Sequence, residues 1–64
     1  MLYGYIKKWN QQNGWGFIRG DDDNDYFVNM SNVRRGVTLR EGAKVKFDSS
    51  CGQRGDEAEN VSLV

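Results

Sequence analysis

Between Asn13 and Ile18 the chain alternates glycine with large aromatic rings: Asn13-Gly14-Trp15-Gly16-Phe17-Ile18. Few backbones tolerate this. A helix loses stability at each glycine, whereas a strand with period two puts Trp15 and Phe17 on one face and Gly14, Gly16 and Ile18 on the other. Glycines inside a strand mark a bend, a bulge or a close approach of another backbone. A small barrel needs such bends, and the aromatic face offers a flat partner a place to stack. The run Asp25-Tyr26-Phe27-Val28-Asn29 echoes the pattern. It sends Phe27 outward beside Trp15 and Phe17 if Val28 is inside.

The rest of the chain follows the same period. Residues 2–10 form a first strand, with Tyr3, Tyr5, Lys7 and Trp9 on one face and Leu2, Gly4 and Ile6 on the other. Strict alternation would then bury Lys8 and Asn10, which is costly for a lysine in a small core, so a bulge or barrel rim is expected near Lys8. Asn10 to Gly14 is a polar turn, and Asn-Gly is a good hairpin closer. The second strand runs from about Asn13 to Arg19 and the third from Asp25 to Met30, where alternation points Met30 inward. Ser31 to Gly36 reads as one short helical turn, capped by Ser31 and ended by Gly36. Leu39 plugs the core. In the fourth strand, Ala43 to Ser50, Ala43, Val45 and Phe47 face in while Lys44, Lys46 and Asp48 face out. Cys51 to Asp56 is a glycine-punctuated loop, and a fifth strand from about Glu57 ends with Val61 and Leu63 on one face.

No apolar repeat of helical period persists along the chain, and proline is absent. Five short strands with glycine turns describe an all-β, small five-stranded antiparallel barrel, here one domain over residues 1–64. A chain of 64 residues buries only roughly 60% of its unfolded surface. Each ring left outside is therefore a costly use of scarce apolar material.

The remaining chemistry is sparse. There is no histidine and one cysteine, so neither a zinc set nor an internal disulfide is available, and Cys51 fits a reducing, cytoplasmic setting. No run is long and apolar enough for a membrane span, so no membrane partner is expected. Asp21, Asp23 and Asp25 have the spacing of calcium ligands, but the final glutamate and flanking helices are missing, so the loop reads as a solvated turn. With no nucleophile–base pair and no phosphate loop, neither an enzyme nor a cofactor is expected. Nine basic residues balance nine acidic ones, which argues against gripping phosphates by bulk charge. The basic residues do stand apart from the acidic clusters, so the surface is either polarised or simply solvated.

In five blocks the chain resembles the bacterial cold-shock proteins. The family's opening Gly-x-Val-Lys-Trp-Phe-Asn is similar to Gly4-Tyr5-Ile6-Lys7-Lys8-Trp9-Asn10. Its first ribonucleoprotein motif, Lys-Gly-Phe-Gly-Phe-Ile, resembles Asn13 to Ile18, and its second, Asp-Val-Phe-Val-His-Phe-Ser, resembles Asp25 to Ser31. Leu39-Arg40-Glu41-Gly42 and the segment from Gly52 to Val61 resemble its later blocks. The resemblance implies an OB-fold-type barrel that binds single-stranded RNA and DNA, often pyrimidine-rich, with little sequence selectivity. It implies stacking of bases on Trp15, Phe17 and Phe27, with Lys7, Lys8, Trp9, Asp25, Asn29, Met30 and Arg54 completing the surface. A monomer is expected, with a strand-exchanged dimer as the alternative. The resemblance also implies an RNA-chaperone or transcription-antitermination role.

Several departures from the family pattern bear on that surface. Lys8 stands where the family has an exposed tryptophan, Asn13 where it has a lysine, and Asn29 and Met30 where it has histidine and phenylalanine. Trp15 replaces a phenylalanine. The loop between strands three and four lacks its usual aromatic, for which Val37 is the nearest substitute. Trp9 is expected to recover some of the lost stacking area. The alternative function keeps the fold but uses the aromatic face for protein–protein interaction, with weak nucleic-acid binding.

Overall fold

The structure is a computed structural model that describes residues 1–52 and 55–64. Arg54 therefore lies outside the described residues. Five strands, β1 (Leu2–Asn10), β2 (Trp15–Gly20), β3 (Asp25–Asn29), β4 (Lys44–Gly52) and β5 (Gly55–Leu63), close into a barrel in the order β1-β2-β3-β5-β4. The pairings are antiparallel except for the closing β3–β5 contact, which is parallel and registers Phe27 against Glu57. β4 and β5 take up most of the segment expected as a loop from Cys51 to Asp56.

Alternation fills the interior. Ile6, Ile18, Tyr26, Val28, Leu39, Val45, Phe47, Ala58 and Val61 form the core, and among the described residues no polar or charged side chain other than the Tyr26 phenol is buried with them. That phenol donates to Asp22 Oδ2 at 2.6 Å, which lets a tyrosine serve as core while its oxygen reaches the Gly20–Asn24 turn. Leu63 shares the face of Val61, in register with the inward Val45. It is 45% exposed because it is the last residue of β5, at the end of the barrel; the positive φ of 53° at Asn60 marks the β4–β5 register slip that precedes Val61.

The expected bulge lies at Lys7. Ile6 pairs with Ile18 and Lys8 with Phe17, so Lys7 is the extra residue and the faces of β1 exchange beyond it. Lys8 consequently points outward beside Phe17. Trp9 turns inward opposite Gly16 and packs against the core, half-buried, with Nε1–H donating to Gln11 Oε1 at 2.8 Å. Gly16 is required here: a Cβ would sit 2.1 Å from the Lys8 carbonyl oxygen and 2.8 Å from the Trp9 ring. Gly14 takes φ 72° in a four-residue connection, rather than the two-residue turn that Asn-Gly favours.

The third strand stops at Asn29. A single 3-10 turn, Met30–Asn32, follows, and its cap is Asn29 rather than Ser31: Asn29 Oδ1 accepts from the Ser31 backbone N–H at 3.0 Å. Met30 therefore leaves the strand alternation and is 45% exposed instead of inward.

Gly16→Ala is expected to lower stability by about 2 kcal/mol or more, because the methyl meets backbone that cannot yield without opening the bulge. Urea unfolding followed by tryptophan fluorescence checks this as a lower midpoint at unchanged slope.

Candidate nucleic-acid interface

The outward face of β1, β2 and β3 is built in cross-strand rows. One row runs Lys8–Phe17–Phe27, its neighbour runs Asn10–Trp15–Asn29, and on the other side lies Tyr5–Arg19–Asp25. Directly opposed side chains in such rows stand about 5 Å apart at Cβ, so the rings are obliged to meet. Trp15 and Phe27 are near-parallel, with centroids 6.4 Å apart and planes at 23°. Phe17 stands edge-on to both, at 81° to Trp15 and 71° to Phe27, with centroids at 6.0 and 5.8 Å.

These three rings are outside the core but not bare. Each is half-buried, because it covers its neighbours while the inward face of the same strands fills the barrel. The result is a cluster of tilted rings rather than one flat plate. With Asn29 the rings line an open depression of about 350 Å³.

The charges around the rings are partly spoken for. Both oxygens of Asp25 are occupied, one by Arg19 Nε and the other by Lys7 Nζ at 3.2 Å. The Arg19 hydrogen bond, then that of Lys7, holds the Asp25 carboxyl below the usual carboxylate range, and the same pairing raises Arg19. Lys8 has no ion-pair partner among the described residues and stands beside Phe17. Glu57 is in register with Phe27, yet its carboxylate lies over Gly52 on the far neighbouring strand, where a Cβ would be 2.1 Å from it. The carboxylate is thus directed away from the rings.

Of the residues singled out from sequence, Lys7, Lys8, Trp15, Phe17, Asp25, Phe27 and Asn29 come together on this face, and Met30 joins them at its edge, beside Gly14. Trp9 does not: the bulge turns it toward the core, so it does not extend the stacking surface. Val37 is likewise half-buried against the core and no substitute for an aromatic. Arg19 was missed. Its signal was its place two residues after Phe17, on the same outward face.

A family model described as the 'Cold-shock' DNA-binding domain matches residues 2–64. The chain belongs to the cold-shock domain family. It is 44% identical over 63 residues to cold shock protein 1 of Lactiplantibacillus plantarum, covering 95% of this chain and 96% of that one. It is 42% identical over 67 residues to the cold shock protein of Arthrobacter globiformis, with both chains fully covered, and 39% identical over 66 residues to the major cold shock protein of Streptococcus pyogenes. Among solved structures, drosophila Unr CSD456 superposes with a TM-score of 0.80 at 17% identity. That match covers 98% of this chain and 26% of that one, so it speaks for the fold. Cold-shock domains are nucleic-acid-binding proteins and not enzymes. No helix among the described residues is long and apolar enough to cross a membrane.

The depressed pKa of Asp25 carries a sign for stability. A carboxyl whose folded value lies below its unfolded one stabilises at pH above the ordinary carboxylate value, and that contribution is lost as pH falls through the folded value. Asp25→Asn is expected to be less stable than the parent at pH 7, with the difference closing as pH drops below the ordinary carboxylate range. Paired urea titrations across that range check it.

Proposed function

We propose that this cold-shock domain binds single-stranded RNA and DNA by stacking unpaired bases on Trp15, Phe17 and Phe27, with Lys8 and Lys7 meeting phosphates. The observation that carries the reading is the cluster itself: three rings on one outward face, with a lysine in register that has no ion-pair partner among the described residues, and the nearest carboxylates either ion-paired or directed elsewhere. Stacking tolerates any base, since every base has a π face, so low sequence selectivity follows, with pyrimidine preference as the finer expectation. Asn29 and Met30 border the rings and take the flanking base edges.

The energetics favour moderate affinity. Stacking contributes roughly 1–3 kcal/mol per base, so three rings supply about 3–9 kcal/mol before ordering costs. Micromolar binding requires about 8 kcal/mol. Affinity is therefore expected in the micromolar range or weaker. A strand held open in this way is unavailable for hairpins, which is the work of an RNA chaperone or antiterminator and needs no cofactor. The exposed thiol of Cys51 is compatible with a cytoplasmic setting.

Titration with oligothymidine or oligouridine is expected to quench tryptophan fluorescence, with a salt slope of about −0.7 for each of two or three phosphate contacts. A slope near zero, or no quenching, counts against the reading and favours docking of a protein on the rings. Phe17→Ala and Phe27→Ala are each expected to weaken binding about tenfold or more while unfolding stays cooperative, because the core lies on the opposite face. Unaltered affinity in both variants would remove the rings from the site.

A further inference from the structure

The outward face of β1 carries two more rings. Tyr3 and Tyr5 are 49% and 44% exposed, more than any ring of the cluster on β2 and β3. Neither phenol is hydrogen-bonded to another described residue. Each stands directly opposite a lysine of β4: Tyr3 pairs with Lys46 and Tyr5 with Lys44. On its other side Tyr5 pairs with Arg19, and the two are close enough to interact electrostatically. An open depression of about 260 Å³ runs along β1 between the tyrosines, Lys44 and Val64.

This surface is continuous with the cluster. Arg19 is two residues beyond Phe17 on the same face and is the cross-strand neighbour of Tyr5. Tyr5 therefore lies one strand spacing, about 4.8 Å, and two residues of rise, about 6.7 Å, from Phe17, and Tyr3 lies two residues further on. OB-fold sites accept roughly 4–16 nucleotides. A strand that occupied only three rings would leave most of that range unused.

Exposed tyrosines are ordinary on a strand, and a pair of rings also suits a protein partner. The charges separate these possibilities. An apolar protein surface would desolvate Lys44 and Lys46 without compensation, whereas the phosphates of a single strand neutralise them. Asp21 lies at the Tyr3 end of the depression, so phosphates must pass on the β4 side, where the lysines are.

We infer that Tyr5 and Tyr3, with Lys44 and Lys46, take the next nucleotides of a single strand whose other bases lie on Trp15, Phe17 and Phe27. The inference rests on the stacking function proposed above and lengthens that site.

Oligothymidines of about four and about twelve nucleotides separate the two parts of the site. The double variant Tyr3→Ala/Tyr5→Ala is expected to lose about tenfold or more in affinity for the long strand and little for the short one. Lys44→Gln/Lys46→Gln, which keeps both rings, is expected to reduce the long-strand salt slope by about 1.4 and leave the short-strand slope unchanged. It remains decisive if the tyrosine variant unfolds. Equal losses on both strands, or no loss on the long one, overturn the inference. Dimers of the parent protein that the tyrosine variant abolishes, with long-strand affinity unchanged, assign the rings to a second copy of the chain and overturn it as well. A parent protein that fails to bind even the short strand would instead refute the stacking function on which the extension depends.

Discussion

The extra residue at Lys7 decides which side chains belong to which face of the barrel. Before it, β1 sends Ile6 inward and Tyr3 and Tyr5 outward; after it, Trp9 goes inward and Lys8 outward. Without the slip, a lysine would enter a core of nine apolar side chains and an indole would leave it. Desolvating that ammonium is a penalty that a domain stabilised by about 0.05–0.15 kcal/mol per residue cannot absorb. The slip is possible because Gly16 opposes it, leaving room for the Lys8 carbonyl and the Trp9 ring.

From that arrangement the aromatic face follows by register alone. Phe17 has Lys8 on one side and Phe27 on the other, and Trp15 sits between Asn10 and Asn29. Electrostatics then refine what register supplies. Asp25 gathers Arg19 and Lys7, which fixes two long cations at the border of the rings, while Lys8 keeps its charge available among the described residues. A chain of zero net charge thereby presents a local surface unlike its average.

Much of this was legible in the sequence because period two is a strong signal wherever it is unbroken. The inward places of Ile18, Val28, Val45 and Phe47 and the outward places of Trp15, Phe17 and Phe27 all follow from it. It failed where strands are irregular. Trp9 lies past the bulge, whose need was visible but whose effect on later residues was not carried through, and Met30 lies past the end of β3. The cap at Asn29 was hidden because Ser31 is an equally good capping residue and only the backbone decides between them. The tilt of the rings and the double engagement of Asp25 depend on three strands lying side by side, which no single segment encodes.

The glycines at positions 4 and 16 have a bearing on how such a chain can diversify. A methyl group at Gly4 would lie 2.3 Å from the Arg19 carbonyl oxygen, and one at Gly16 would lie 2.1 Å from that of Lys8. With these two positions closed, change falls on other residues, and its kind differs between the two faces. Lys8, Asn13, Trp15, Asn29 and Met30 depart from the family's motifs outside the core, whereas Ile6, Trp9 and Tyr26 depart from them inside it or packed against it. Outside, a ring has given way to a charge or an amide; inside, one apolar or aromatic side chain has replaced another, and the barrel is kept.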